Sequence, residues 1–296
     1  MDFDNSWDAL LNPGEATWFF VNHNNAPFEI SATGFSKINA WWLAELSRLI
    51  YKNDSPAGAR QDFLAPVGLR ELEFFETPAG NLANTKCALV TVSDPARPPF
   101  AVLVFRGTAD LKNALTDIED VPIAWEQGGQ VYAGFLNALN TVWQRIETTL
   151  NELDCPLFYT GHSLGAALAT LAASRRPPRA LYTFGSPFVG DAVFTETLRN
   201  VPAYRVVNNR DVVATLPPHL PIGFRPTHAG ELHYFGHDGR MLVNPSQRDV
   251  EADWRQLDTA NPLHTNWLSH FINPAPPEFL SDHTPVNYVA QLARVL

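Results

Sequence analysis

The chain has 296 residues, 45% of them hydrophobic and 18% charged, a composition typical of a soluble globular protein with a sizeable core. Its net charge of -10 and its lack of a basic run argue against nucleic acid as a partner and against adsorption to anionic membranes. No segment approaches a transmembrane span, and no secretory signal is visible, as would also hold for an already cleaved secreted form. The compartment is therefore either cytoplasmic or extracellular.

Proline clusters punctuate the chain without opening a long low-complexity linker. We therefore expect a single domain over residues 1–296. The two cysteines, Cys87 and Cys155, each adjoin a strand-like run, where buried reduced thiols are common. Free thiols are favoured over one disulfide bridge.

Hydrophobic periodicity in the first half predicts one helix, three strands and a longer helix. These elements are Ser36–Tyr51, then Glu71–Phe75, Ala88–Val92 and Ala101–Phe105, then Val131–Leu150.

The second half alternates short apolar runs with helical patterns, which predicts a mostly parallel sheet. The predicted strands are Leu157–Thr160, Ala180–Phe184 and Ala203–Val207, with a hairpin formed by Leu232–Phe235 and Met241–Val243. One predicted helix begins directly after Ser163, and three more cover Ala192–Leu198, Leu263–Ile272 and Pro285–Val295. The expected fold class is α/β.

The segment Gly161–Gly165 carries the strongest chemical signal. A strand-like run leads into it and a helical pattern leads out, which is the context of a nucleophile elbow. A serine hydroxyl becomes a useful nucleophile when a turn exposes it and a base takes its proton, and Gly161 and Gly165 leave room for helix and strand to cross. Ser163 is therefore the candidate nucleophile. His162 is expected to point to the opposite side of the turn and is assigned to packing.

Attack on an ester also requires a histidine base and a carboxylate that orients it, and after an elbow the acid precedes the histidine in the chain. Asp211 follows a predicted strand at its carboxyl end, where open α/β sheets bind ligands. Its rival Asp191 resembles the first residue of a helix. His283 lies on the loop before a helix that Thr284 can cap, and is preferred over His228 and the other histidines. The alternatives are a solvated turn aspartate and an exposed loop histidine.

The oxyanion formed during attack needs hydrogen-bond donors. The main-chain N–H of Leu164, directly after the nucleophile, is one by geometry. The segment Val102–Thr108 ends a buried strand with a glycine and then Thr108, which offers both its N–H and its hydroxyl, although a plain strand-end turn is equally compatible with this pattern.

Six segments together resemble the class 3 lipases, which are α/β-hydrolases that include fungal triacylglycerol lipases and feruloyl esterases. The matching segments are Leu43–Tyr51, Val104–Thr108, Val131–Phe135, the Ser163 elbow, Thr183–Asp191 and Val206–Val213, so the match spans most of the chain. The resemblance implies the α/β-hydrolase fold, with a mostly parallel central sheet flanked by helices. It also implies Thr108 and Leu164 for the oxyanion hole, Asp211 as the acid and His283 as the base.

In that family a short helical lid follows the strand-end threonine or serine. Residues 109–120 form a candidate lid here, because their apolar side chains share one face of a predicted helix. These side chains are Leu111, Ala114, Leu115 and Ile118. A helix packed permanently on the domain would show the same stripe. Ala114 stands where fungal members often carry tryptophan, which counts against strong interfacial activation.

These features predict a serine ester hydrolase, in the first place a lipase that cleaves acylglycerol esters through an acyl-enzyme intermediate. A soluble esterase for short acyl or aryl esters, such as feruloyl groups, would use the same residues. A non-catalytic protein of the same fold that binds a lipid or another partner is the third reading. The expected partner is a small ester or lipid, at a lipid–water interface if the lid operates. We expect neither a cofactor nor a metal, because the sequence lacks a short-spaced ligand set such as His-Glu-x-x-His.

Overall fold

The structure is a computed structural model that describes residues 18–21, 23–52, 58–78, 84–108, 121–217, 223–260 and 281–296. The candidate lid at 109–120 and the helix predicted over Leu263–Ile272 lie outside these residues.

A mixed sheet of eight strands forms the centre of the described chain. In chain order the strands are β1 (Leu69–Glu76), β2 (Lys86–Val92), β3 (Ala101–Phe105), β4 (Pro122–Ala124), β5 (Gln130–Tyr132), β6 (Leu157–His162), β7 (Ala180–Phe184), β8 (Gly190–Asp191), β9 (Ala203–Asn208), β10 (Pro226–Thr227), β11 (Glu231–Phe235) and β12 (Met241–Val243). The central sheet has the order β1-β2-β3-β6-β7-β9-β11-β12. Its five middle strands run parallel, and β1, β2 and β12 pair antiparallel at the two edges.

Helices cover both faces of this sheet. They are α1 (Lys37–Leu49), α2 (Gln61–Leu64), α3 (Ala133–Asn151), α4 (Leu164–Arg175), α5 (Ala192–Glu196), α6 (Gln247–Ala260) and α7 (Pro285–Arg294). On one face α1 packs against α7, and on the other α3 packs against α4. Each face has its own apolar core, because the buried strands present side chains alternately to the two sides. The predicted α/β class with a mostly parallel sheet is confirmed.

Small side chains allow α4 to lie directly on the sheet. Its alanines at 166, 167, 169, 172 and 173 are fully buried. A Cβ on Gly165 would lie 2.2 Å from the main-chain oxygen of Phe105 in β3. The helix that follows the elbow can approach this strand only with glycine at that position.

A buried ion pair in α1 holds the segment at residues 18–20 against the domain. Arg48 Nη1 lies 3.2 Å from Glu45 Oε2, and both side chains are 1% exposed. Glu45 Oε1 also accepts a hydrogen bond from the Phe20 N–H at 3.0 Å, and the Arg48 guanidinium lies 3.9 Å from the centre of the Phe19 ring. Burial raises the pKa of Glu45 to about 7, against the opposing effect of Arg48.

Among the differences from the sequence prediction are two helix boundaries and one helix. The helix predicted from Val131 begins at Ala133, because Gln130–Tyr132 forms β5 and pairs with β4 and β8 in a second, four-stranded sheet. The helix predicted to reach Leu198 ends at Glu196. Helix α6 was not predicted, because charged and polar residues dominate its sequence and its few apolar residues were not recognised as a helical stripe.

Cys87 is buried, Cys155 is partly exposed, and both are free thiols, as the sequence favoured. Within the described ranges, no helix combines the length and apolar character needed to cross a bilayer.

Candidate active site

Ser163 occupies a sharp turn between β6 and α4. It is 4% exposed and has φ 60° and ψ -130°, a conformation that costs a residue other than glycine about 1–3 kcal/mol. Its N–H donates to the Phe184 carbonyl at 3.0 Å, and this bond ties the turn to the adjacent strand β7. A Cβ on Gly161 would lie 2.2 Å from the Gly165 oxygen, so the elbow closes only with glycine there. The geometry is that of the predicted nucleophile elbow.

Asp211 and His283, 72 positions apart in the chain, meet beside this elbow. His283 Nδ1 lies 2.8 Å from Asp211 Oδ2, and both side chains are 0% exposed. Asp211 follows β9, and its other oxygen accepts the Val213 N–H at 2.8 Å, which fixes the carboxylate at the start of a short 3-10 turn. The two residues that the sequence selected as acid and base are therefore brought together.

This contact fixes the hydrogen on the imidazole. A carboxylate accepts hydrogen bonds, so Nδ1 of His283 carries the proton and Nε2 presents a lone pair. Nε2 is buried and has no hydrogen-bond partner among the described residues. The ring of His162, directly before Ser163, packs at a tilt against the His283 ring, with ring centres 4.3 Å apart, so the imidazole of His283 lies at the elbow. A histidine held in this way can take a proton from a group placed at Nε2.

Tyr288 is a third partner of this pair that sequence reasoning did not assign. Its hydroxyl donates to Asp211 Oδ2 at 2.5 Å and accepts the Asn208 N–H at 3.2 Å. Burial and the Asp211 charge raise the pKa of Tyr288 well above its usual value, so it remains a donor. The only signal in the sequence is its place on α7, five residues after His283, because the partner Asp211 comes from a distant strand.

Asp282 fastens the loop that carries the base to the loop that carries the acid. Its Oδ2 accepts from Asn209 Nδ2 at 3.0 Å and from the Arg210 N–H at 3.1 Å. Its main-chain oxygen accepts from Asn208 Nδ2 at 3.0 Å. Asp282, next to the base, is thus hydrogen-bonded to Arg210, next to the acid.

His162 is buried, in agreement with its assignment to packing, and it also contacts the base. It is 1% exposed, its Nε2 lies 2.6 Å from the His283 main-chain oxygen, and its Nδ1 lies 2.9 Å from the Tyr51 hydroxyl. Burial and the neighbouring His283 lower the pKa of His162 well below its usual value, so the ring is neutral.

Two candidate oxyanion donors flank Ser163. Leu164 is the first residue of α4, where main-chain N–H groups lack partners within the helix. On the other side, β3 lies parallel to β6, with Phe105 opposite Gly161, so both strands end at the same edge. A Cβ on Gly107 would lie 3.1 Å from Ser163 Cβ, and Thr108 follows directly. The candidate lid residues Leu111, Ala114, Leu115 and Ile118 lie outside the described residues.

The rivals considered for acid and base have other partners. Asp191 caps α5, as expected, and its Oδ1 accepts the Phe194 N–H at 2.8 Å. His228 bonds the Ala214 carbonyl at 2.9 Å and stacks on Phe188, and burial lowers its pKa to about 3. Neither lies in the hydrogen-bonded pair beside Ser163.

Comparison with known proteins gives a consistent set of relatives. The family model described as lipase (class 3) matches residues 102–220. The chain is 31% identical over 213 residues to a lipase of Rhizomucor miehei, covering 66% of this chain and 57% of that protein. It is 34% identical over 163 residues to secreted mono- and diacylglycerol lipase 1 of Fusarium solani, covering 50% of this chain and 48% of that protein. The chain thus spans about half the length of these curated relatives.

Among solved structures, one similar chain is a triacylglycerol lipase described as having a serine protease triad as its catalytic centre. It shares 26% sequence identity with this chain at a TM-score of 0.57, and the match covers 69% of this chain and 82% of that one. The α/β-hydrolase fold implied by the sequence is confirmed by this likeness.

Proposed function

We propose, on the premise that the chain belongs to the class 3 lipase family, that it is a serine ester hydrolase that cleaves acylglycerol esters. Ser163 is the nucleophile, His283 the base and Asp211 the acid that orients the base. Leu164 and Thr108 supply the oxyanion hole. The observation that carries this assignment is the buried His283–Asp211 hydrogen bond, which leaves Nε2 of His283 without a partner among the described residues.

In the acylation half of the reaction, Ser163 Oγ attacks the carbonyl carbon of the ester while its proton passes to His283 Nε2. The imidazolium that forms is stabilised by Asp211 through the Nδ1–H hydrogen bond of 2.8 Å. The carbonyl oxygen becomes an oxyanion and accepts hydrogen bonds from the Leu164 N–H and from Thr108. Loss of one such donor typically slows turnover about 100- to 1000-fold.

The tetrahedral intermediate collapses when the bond between the acyl carbon and the alcohol oxygen breaks. The alcohol leaves with the proton that His283 holds, and the acyl group stays on Ser163. Water then repeats the sequence: His283 takes its proton, the hydroxide oxygen bonds to the acyl carbon, and Ser163 recovers its proton as the carboxylic acid leaves. The steps require no group beyond those named.

The substrate class rests on the relatives, one of which is named a lipase and another a secreted mono- and diacylglycerol lipase. The net charge of -10 is compatible with neutral glycerides, whereas adsorption to anionic surfaces would be disfavoured. Residues 109–120 are the segment we propose as a lid, on the sequence pattern alone.

The test is hydrolysis of p-nitrophenyl esters from acetyl to palmitoyl, with a triolein emulsion alongside and Ser163→Ala as the control. We expect activity that favours long chains and the emulsion, and a loss of about a millionfold in the variant. Activity confined to short soluble esters would replace the lipase with an esterase. Absence of activity in the folded wild type would replace it with a lipid-binding or partner-binding protein. Substantial activity in Ser163→Ala would reject the nucleophile.

A further inference from the structure

His162 is a buried histidine that the proposed reaction does not use, and both of its ring nitrogens have partners. Nε2 contacts the main-chain oxygen of His283 at 2.6 Å, and Nδ1 contacts the Tyr51 hydroxyl at 2.9 Å. The Tyr51 ring packs on the His162 ring edge to face, and Tyr288 approaches it in a similar way. His162 therefore sits between the elbow, the base and a residue that follows α1.

The direction of each hydrogen bond follows from the chemistry of the partners. A carbonyl oxygen only accepts, so His162 Nε2 carries the proton and donates it to His283. In the neutral ring Nδ1 then has a lone pair, and Tyr51 donates its O–H to it. Burial raises the pKa of Tyr51 above its usual value, which keeps this donor protonated.

The same hydroxyl reaches the strand end that carries the proposed oxyanion donor. The Tyr51 oxygen lies against the main chain of Gly107, because a Cβ on Gly107 would come within 2.0 Å of that oxygen. A chain of contacts thus runs from Gly107 through Tyr51 and His162 to the His283 carbonyl. Its ends are the residue before Thr108 and the base itself.

We propose that Tyr51 and His162 are positioning residues that hold the main chain of His283 at a fixed distance from Gly107 and Thr108, which follow β3. This inference rests on the proposed ester hydrolase function. The base comes from the loop before α7 and the oxyanion donor from the segment after β3, and Asp282 ties the loop of the base to the loop of the acid. The contacts of Tyr51 and His162 tie the main chain of the base to the segment after β3.

The expected effect is on the rate of the chemical step, because these residues contact the support of the base and not the ester. A displacement of about 1 Å in a catalytic group can cost about 100-fold in rate. Tyr51→Phe should therefore lower kcat about 10- to 100-fold and change KM less than about threefold.

Tyr182→Phe is the matched control. The Tyr182 hydroxyl, like that of Tyr51, makes a hydrogen bond inside the fold: it accepts the Ser36 N–H at 3.1 Å. Tyr182 is buried whereas Tyr51 is partly exposed, and Tyr182 takes no part in the chain described above. We expect Tyr182→Phe to lose some stability and keep the wild-type kcat. If Tyr51→Phe also kept kcat within twofold of an active wild type, the positioning role would be wrong.

His162 itself permits a rescue experiment. The amide nitrogen of glutamine can occupy the place of Nε2 and donate to the His283 carbonyl, whereas leucine cannot. His162→Gln should therefore be at least about tenfold more active than His162→Leu, in line with the rate cost of a misplaced base. Equal activity in two folded variants would contradict the role of the donor, and if the leucine variant fails to fold, Tyr51→Phe still decides.

Nitrogen-15 NMR of labelled histidines tests the chain without any turnover, with His162→Gln identifying the signals. The wild type at pH 7 should show His162 as the neutral tautomer with the proton on Nε2. Tyr51→Phe should keep this tautomer, because the His283 carbonyl still requires a donor, and should move the chemical shift of Nδ1, which loses its hydrogen-bond donor. A protonated ring or the Nδ1 tautomer in the wild type would overturn the proposed directions. This result stands even if the wild type hydrolyses no ester, so failure of the proposed function and failure of this inference can be told apart.

Discussion

Replacement of Gly185 by alanine should inactivate the protein without altering any proposed catalytic residue. Gly185 follows β7 with φ +57°, and a Cβ there would lie 2.4 Å from Asp211 Oδ2 and 2.8 Å from His283 Nδ1. Both side chains are fully buried, so neither can move aside without breaking the 2.8 Å hydrogen bond between them.

The magnitude has two parts. Alanine in a left-handed conformation costs about 1–2 kcal/mol, and an extra carbon in a packed site costs about 1–3 kcal/mol, so the free energy of unfolding should fall by about 2–5 kcal/mol. Loss of the contact that orients the base should lower kcat by up to about 10⁴-fold, as when the acid of a serine protease triad is neutralised.

The assay compares kcat on a soluble p-nitrophenyl ester with urea unfolding for Gly185→Ala and Gly58→Ala. Gly58 has φ +87° and nothing within 4 Å of an added Cβ, so its alanine variant carries the backbone strain without the clash. It should lose about 1–2 kcal/mol of stability and keep its kcat. A Gly185→Ala protein that turned over within tenfold of the wild type would refute the packing of Asp211 against His283.

Asp211→Asn should lower kcat about 10⁴-fold with little change in the circular dichroism melting temperature, and a fully active variant would exclude Asp211 as the acid. Tyr288→Phe removes a donor to that carboxylate and the acceptor of the Asn208 N–H. The free energy of unfolding measured by urea titration should therefore fall by about 2–4 kcal/mol, and an unchanged value would contradict these contacts. Glu45 has its pKa raised from 4.5 to about 7 in the folded protein, so the stability it contributes is complete below pH 4.5 and is lost as pH rises through 7. Between pH 5 and 8 the free energy of unfolding of the wild type should fall by up to about 3 kcal/mol relative to that of Glu45→Gln. If the two proteins showed the same dependence of stability on pH, the shifted pKa would be rejected.

Local patterns in the sequence were sufficient for the parts of the fold that depend on neighbouring residues. The strand Ala101–Phe105 has the predicted bounds, and Asp191 caps α5 as expected, since apolar runs and caps are local features. The residues of β5 were predicted as the start of a helix, because Val131 and Tyr132 fit the periodicity of a helix and that of a strand. Pairing with β4 and β8 makes them a strand.

The candidate site also has residues that local sequence patterns predict and residues that they do not. Ser163 follows from a five-residue motif, and Asp211 and His283 follow from strand ends and chain order. The roles of Tyr51, His162 and Tyr288 depend on contacts between residues 77 to 121 positions apart, which periodicity does not encode. Long-range polar contacts of this kind become visible only when the strands are in register.

The bonds that Asp282 makes to Asn209 and Arg210 have a consequence for how such a chain can change over evolutionary time. They join the two ends of the stretch between residues 212 and 281, next to the acid and the base. This stretch contributes β11 and β12 to the central sheet, and these strands are held by their pairing within that sheet. Because the entropy of closing a loop grows only with the logarithm of its length, doubling a connection within the stretch would cost about 0.6 kcal/mol. A lineage can therefore change the length of such connections while the acid and the base stay side by side.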